Sequence, residues 1–191
     1  MIYKPPSPPM IATHWHGGAQ NPVGGILRLH STVSPCVPGG AKTIARYFQT
    51  STRAASAHYV VDPSPKYADA VRQCVPDHKT SYDCGWNPPG ISIEMCEMPS
   101  QVKRRWDDRA HRQLEKNAVE LAATLCLAYD IRPYFVGAFG LKRGKKGVTT
   151  HAQVAKAFPS LTTHWDPGAW RRYRFMRALR KRIKQMKKEQ S

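Results

Sequence analysis

Residues 106–129 carry the longest helical pattern of the chain, with Leu114, Ala118, Leu121, Ala122 and Leu125 forming one apolar stripe. Asp107 and Asp108 stand at its start, where acidic side chains suit the positive end of a helix dipole. Upstream, four short runs read as strands. Residues 25–30 (GILRLH) end in a histidine, 56–62 (SAHYVVD) precede a Pro-Ser-Pro turn, a third run lies around 70–75, and 91–96 (ISIEMC) alternates. That alternation places Ile91, Ile93 and Met95 on one face and Ser92, Glu94 and Cys96 on the other. Residues 41–50 have helical spacing through Ile44, Tyr47 and Phe48. Residues 132–136 read as a further strand, 140–147 (GLKRGKKG) as a basic loop, and a last helix begins near Pro167. Strands and helices mixed in this order need a sheet covered by helices. The expected fold is a single α/β domain with a central, mainly mixed β-sheet, in the order β-α-β-β-β-α-β plus a terminal helix.

The domain division expected is a Pro/Gly-rich arm over 1–22, a folded domain over 23–179 and a basic tail over 180–191. A chain of 191 residues has room for one such core. No stretch approaches the ~18 apolar residues of a membrane span. The N-terminal sequence has no apolar segment of the secretory type, so the expected product is cytosolic. The five cysteines (Cys36, Cys74, Cys84, Cys96, Cys126) show no CxxC spacing and read as small core residues, with a Cys74–Cys84 bridge left open.

The net charge is +17, and residues 170–191 hold ten Lys or Arg against one Glu, which leaves +8 for the rest. Charge of this size favours a polyanionic partner: nucleic acid, anionic lipid or an anionic wall polymer. No zinc-finger, RNA-recognition or basic-zipper signature accompanies it, so specific nucleic-acid binding ranks low. Within the tail, Trp170, Tyr173, Met176, Leu179, Ile183 and Met186 recur every three or four residues. That pattern gives a packed helix to about Leu179 and a solvated basic face beyond.

Three segments place a metal-ligating side chain at a strand end or in a loop: Leu29-His30-Ser31-Thr32, Thr149-Thr150-His151, and Thr163-His164-Trp165-Asp166-Pro167-Gly168. Two imidazoles and one carboxylate suit catalytic zinc, because three protein ligands leave the fourth tetrahedral position to water. A metal so held lowers the water's pKa to about 7. Spacing alone does not select these residues, since the chain has eight histidines. Plainer readings stand beside each: His30 as a satisfied strand-end histidine, Asp166 as the N-cap of a helix opened by Pro167, Glu94 as the partner of a surface Arg, and His164 as a loop residue in solvent. The His14-Trp15-His16 pair lies in the Pro-rich segment with no carboxylate or Cys at hand and is read as no site.

In order along residues 25–170, the HST after an apolar strand, Ser56-Ala-His-Tyr-Val-Val, Ser92-Ile-Glu-Met and the closing His…His-x-Asp-Pro-Gly resemble N-acetylmuramoyl-L-alanine amidases. The resemblance is to the bacteriophage endolysin and peptidoglycan-recognition-protein type (amidase type 2). It implies hydrolysis of the amide between N-acetylmuramic acid and L-alanine in peptidoglycan, with Zn2+ in a cleft at one sheet edge. It implies His30, His151 and Asp166 as metal ligands, the third being Cys or Asp in the family. Glu94 is then the carboxylate that handles the proton of the attacking water, and His164 the group that holds the substrate carbonyl. His58, Tyr82, Trp86 and Asn87 fall where the family lines its substrate groove. The same likeness implies a monomeric phage endolysin, made in the host cytoplasm and reaching the wall after membrane permeabilisation, with the basic tail drawn to anionic wall polymers or membrane. A non-catalytic peptidoglycan-binding module on the same fold is the alternative.

Overall fold

The computed structural model describes residues 7–20 and 24–190. In chain order, β1 (His16–Ala19) precedes β2 (Ile26–Ser31), a six-residue strand buried along its whole length. Helix α1 (Gly40–Thr50) crosses to β3 (Tyr59–Val61), and the short α2 (Tyr67–Ala70) leads into β4 (Val71–Gln73). After β5 (Lys79–Ser81) come β6 (Ile91–Met95), a 3-10 turn over Lys103–Asp107 and the long α3 (Arg109–Ala128). Short α4 (Ala138–Lys142), β7 (Gly147–Thr150), α5 (His151–Ala157) and α6 (Arg172–Glu189) follow.

Five strands form one sheet in the order β4-β3-β6-β2-β7, parallel throughout except for β4, while β1 and β5 pair antiparallel beside it. The sheet is therefore mixed and flanked by helices. On one face Leu27, Leu29, Tyr59, Val61, Ile91, Ile93 and Met95 pack with α3 and α6 into the main core. On the other, Val60, Cys74 and Cys96 pack against Ala41, Ala45 and Phe48 of α1. Asp108 caps α3, its carboxylate accepting from the His111 backbone N–H at 2.8 Å.

Four local expectations change. Residues 132–136 form no strand, only one bridge from Phe135 to Val148, and the last strand of the sheet is β7 instead. The GLKRGKKG run begins inside α4. The terminal helix starts at Arg172 rather than near Pro167, and it continues through 179 and 180 without a break, with Ile183 buried and Met186 packed on the core. The Pro/Gly-rich segment lies on the domain. Thr13 Oγ1 donates to Phe48 O at 2.7 Å, Trp15 Nε1 donates to Ser51 O at 2.8 Å, and Ile11 packs on the α1 cluster. The boundary expected between 22 and 23 lies outside the described residues. All five cysteines are free, and Cys74 and Cys84 belong to separate core clusters, so the bridge left open between them is not made.

Candidate active site

Strands β2 and β6 run parallel with His30 opposite Glu94. Side chains alternate along each strand, so the turn of backbone that sends Leu29 and Ile93 into the core sends Arg28, His30, Ser92 and Glu94 to the opposite face. On the far side of β2, Thr150 ends β7 opposite Leu29, and the next residue, His151, opens α5. The two imidazoles thus arrive at the carboxyl ends of neighbouring parallel strands, toward the β7 edge of the sheet. Open α/β sheets place their ligand sites at such strand ends.

Asp166 comes from the segment between α5 and α6. The Ala152 backbone N–H donates to Asp166 O at 2.9 Å, and the Ser31 N–H donates to Asp166 Oδ2 at 3.1 Å, which fixes the carboxylate. Gly168 has a φ of 69°, and a Cβ there would lie 2.5 Å from Ser100 O, so the Asp-Pro-Gly turn requires glycine at that position. Since α6 begins at Arg172, Asp166 does not cap it.

The donor atoms converge. His30 Nδ1 lies 3.1 Å from His151 Nδ1 and 3.6 Å from Asp166 Oδ2, and His151 Nδ1 lies 3.1 Å from Asp166 Oδ1. Ligand atoms around a tetrahedral zinc with bonds near 2.0–2.1 Å stand about 3.3 Å apart, so the set fits that ion. All three residues are buried. The second nitrogen of His151, Nε2, lies 2.8 Å from Thr162 Oγ1, which can accept its proton when Nδ1 faces a metal. A second convergence, His30 with Asp83 and Cys84, is a poorer candidate. Arg28 already occupies Asp83 at 2.6 Å, the Cys84 thiol donates to Trp86 O at 3.0 Å, and burial pushes that thiol's pKa up.

Charge explains the rest of the site. Burial opposes the ionisation of Glu94 and pushes its carboxyl up to about 8 against the pull of His30; its Oε2 is buried without a partner. Burial also opposes a charge on His30, but the carboxylates of Asp83, Glu94 and Asp166 outweigh it and raise the imidazole to about 9. The site is short of positive charge. Asp166 is held low despite its burial, through its contacts with His151 and His30. Glu94, His151 and Asp166 floor a cleft of about 1070 Å³, walled by Tyr47, Arg53, Tyr82, Asn87 and residues 159–164.

The model of one protein family, described as N-acetylmuramoyl-L-alanine amidase, matches residues 20–169. The chain belongs to that family. The amidase has no match among curated protein sequences. Its fold is similar to that of the Staphylococcus aureus hydrolase AmiA, with a TM-score of 0.69 at 20% identity, over 94% of this chain and 84% of that one. It also resembles a mutant endolysin from Bacillus subtilis, with a TM-score of 0.56 at 19% identity over 94% and 99% of the two chains. The N-acetylmuramoyl-L-alanine amidase LysCS from Clostridium intestinale matches with a TM-score of 0.56 at 12% identity, over 93% and 98%.

Within the amidase, His30, His151 and Asp166 converge, and Glu94 stands opposite His30 on the neighbouring strand. His164 lies at the rim with its side chain 59% exposed, its ring stacked on His151 at 4.9 Å and its Nδ1 4.0 Å from Asp166 Oδ1. Tyr82 and Asn87 line the cleft. Two groove residues are corrected. Trp86 stacks on Phe158 at 5.0 Å in a small core cluster. His58 is wholly buried, accepting at Nδ1 from the Ser92 N–H at 3.1 Å while its Nε2 meets Lys79 O at 2.9 Å. The loop before β6 turns Trp86 inward, and His58, just ahead of β3, is held inward by its bonds to Ser92 and Lys79.

Sequence reasoning missed Arg28, Asp83 and Thr162. Arg28 did carry a signal, since a guanidinium two residues before His30 in an apolar strand must face the same side. Asp83 carried none, because its place is set by the loop that brings it back to β2.

Proposed function

We propose that this amidase is a zinc enzyme that cleaves the amide between N-acetylmuramic acid and L-alanine of peptidoglycan, and that it serves a bacteriophage as an endolysin in host lysis. The single observation that carries the metal reading is the convergence of the buried His30, His151 and Asp166, whose donor atoms, one from each, all lie within 4.8 Å of one another. Zinc held there supplies Lewis acidity and a water acidic enough to attack at neutral pH. The remaining work falls to the chain. Glu94, on the strand beside His30 with an unpartnered buried oxygen and a pKa near neutrality, takes the proton of the attacking water and returns it to the leaving nitrogen. Beside a bound dication Glu94 would be held ionised and so be able to act as that base. His164 stands at the rim, placed to donate to the carbonyl oxygen as charge develops. Tyr82 and Asn87 flank the stem peptide along the cleft.

Two solved relatives named as endolysins support the phage reading. In that reading the enzyme is a monomer, made in the host cytoplasm, that meets the wall once the membrane is permeabilised. The outward side of α6 supports attraction to anionic wall polymers. Arg177, Arg180, Lys181, Lys184 and Lys188 are exposed, whereas Arg174 and Arg182 are committed to Glu115 and Glu120. The apolar face of α6 is packed on the core through Phe175, Met176, Leu179 and Ile183, which leaves a mainly charged surface, with Tyr173 exposed at its start, and disfavours insertion into a membrane.

Metal analysis coupled to mass spectrometry of digested walls tests the reading. About one zinc per chain and new L-alanine amino ends are expected. Protein that carries no zinc and releases no such ends would sink it. Glu94→Ala separates the non-catalytic alternative, because wall binding survives under both readings and turnover disappears only if there was turnover to lose.

A further inference from the structure

We propose that Arg28 and Asp83 form a buried positioning pair that sets which nitrogen of His30 faces the metal and ties the groove loop to the ligand strand. The proposal rests on the zinc reading above. Arg28 and His30 stand two residues apart on β2 and share its polar face. Arg28 Nε donates to Asp83 Oδ2 at 2.6 Å, with both side chains fully buried, and the same oxygen lies 3.5 Å from His30 Nε2. The other nitrogen of His30, Nδ1, faces His151 and Asp166.

A neutral imidazole that gives Nδ1 to a metal must carry its proton on Nε2, and here Nε2 looks toward Asp83. That nitrogen is buried with no hydrogen bond among the described residues, and the carboxylate it faces at 3.5 Å is the acceptor on hand, since an N–H buried without one is costly. Asp83 therefore selects the tautomer. Arg28 gives Asp83 a charged partner where water does not reach, and a carboxylate buried without one is costly. The guanidinium also reaches into the loop before β6, with Nη1 donating to Pro88 O at 3.1 Å. Gly90 makes room for it, since a Cβ there would lie 3.1 Å from Arg28 Nη1 and 2.6 Å from Ile26 O. From the other side, Gln20 bonds both the N–H and the carbonyl of Gly90, at 2.8 and 2.9 Å. The loop that presents Tyr82 and Asn87 to the cleft is thus pinned to the strand that presents His30.

A buried ion pair is weak evidence for stability, because apolar residues of similar volume commonly do as well. This one sits on the ligand's own strand and is aimed at the ligand's second nitrogen, which is the arrangement of a carboxylate–histidine–metal support.

The test compares the 191-residue chain with Asp83→Asn and with the double variant Arg28→Met/Asp83→Asn, which leaves neither member of the pair as an unpaired buried charge. Zinc affinity is read by competition with a chromogenic chelator, site geometry from the visible absorption of the cobalt-loaded proteins, and folding from circular dichroism. Both variants are expected to bind zinc about 10- to 100-fold more weakly, with an altered cobalt spectrum and, for the double variant, a parent-like fold. A folded double variant with parental zinc affinity and cobalt spectrum overturns the proposal. Nitrogen-15 spectra of the zinc-loaded parent give a readout that no variant's folding can obscure. A proton on His30 Nε2 is expected, and a proton on Nδ1 overturns the proposal. A parent that binds no zinc at all overturns the metal reading itself, which is a different result.

Discussion

Strands β2 and β6 present two unlike faces from one stretch of backbone. Toward α3 and α6 lie Leu27, Leu29, Ile91, Ile93 and Met95, all with no exposed surface. Toward the cleft lie the buried Arg28, His30 and Ser92 and the half-buried Glu94, all polar or ionisable. On the first face each side chain contributes by itself, on the order of 1.5–3 kcal/mol for a large apolar group removed from water. On the second, burial opposes every charge, and the arrangement holds only because the groups answer one another. Arg28 answers Asp83, three carboxylates surround His30, and Glu94 is pushed up to about 8. One face supplies stability and the other spends part of it on chemistry, so substitutions on the two faces should separate the two properties.

The largest effect is expected at the ligands. His30→Ala, His151→Ala or Asp166→Ala should each abolish stoichiometric zinc and bring the release of L-alanine amino ends to background, while circular dichroism stays that of a folded chain. Glu94→Gln comes next. It should retain zinc, lower kcat by about 10²- to 10⁴-fold as removal of a general base does, and leave the melting temperature equal or higher, because an amide has no charge for burial to oppose. Leu29→Ala, the neighbour of His30 on the core side, should do the reverse. It should cost about 2–5 kcal/mol in urea unfolding, with the kcat of the folded protein retained. A Leu29→Ala protein that is stable but inactive would break the division of labour between the faces.

A smaller effect sharpens the comparison at His58, which shares the polar face but bears only a structural role. Burial, helped by Arg28, holds its pKa down at about 4, below the ordinary histidine value. Between pH 6.5 and 4 the unfolded chain takes up a proton that the folded chain refuses. Stability therefore falls as pH falls through that window, by up to about 3 kcal/mol from this residue. Urea unfolding at pH 7 and pH 4.5 should show the drop in the parent and a shallower one in His58→Gln. An equal drop in both would mean that His58 is not the group responsible.

Much of this division was legible in the sequence, and the reasons it was or was not are local. The alternation of residues 91–96 already put Ile91, Ile93 and Met95 opposite Glu94, and the faces follow. The motifs carrying His30, His151 and Asp166 lie at strand or turn ends, where a short segment defines its own geometry. Strand β7 was missed because four residues after a lysine-rich turn carry little period, and its pairing with β2 comes from tertiary contact. His58 was misplaced because its partners, Ser92 and Lys79, lie on other strands, and Trp86 was misplaced for the same reason as Asp83 was overlooked. The loop over residues 82–90 folds back on the sheet, and which of its side chains turn inward depends on Arg28 and Gln20, which are distant in sequence.

The smallest effect is expected on α6, whose two sides repeat the contrast on a helix. Inward, Phe175, Met176, Leu179 and Ile183 are buried on the core, and Arg174 and Arg182 are bound by Glu115 and Glu120. Outward, Arg180, Lys184 and Lys188 meet solvent. Exposed charges contribute about 1 kcal/mol or less each, so Arg180→Gln, Lys184→Gln and Lys188→Gln together should weaken adsorption to purified walls by no more than about 100-fold at low salt. Near 1 M salt, where the screening length is about 3 Å, variant and parent should adsorb alike. Melting temperature and turnover of a soluble muropeptide should be unchanged, because none of the three side chains packs on the core or borders the cleft. Loss of soluble turnover in this variant would mean that the outward face of α6 reaches the catalytic site by a route other than wall attraction. Unchanged adsorption at low salt would remove the helix from wall binding and leave the attraction to the basic residues of the remaining domain.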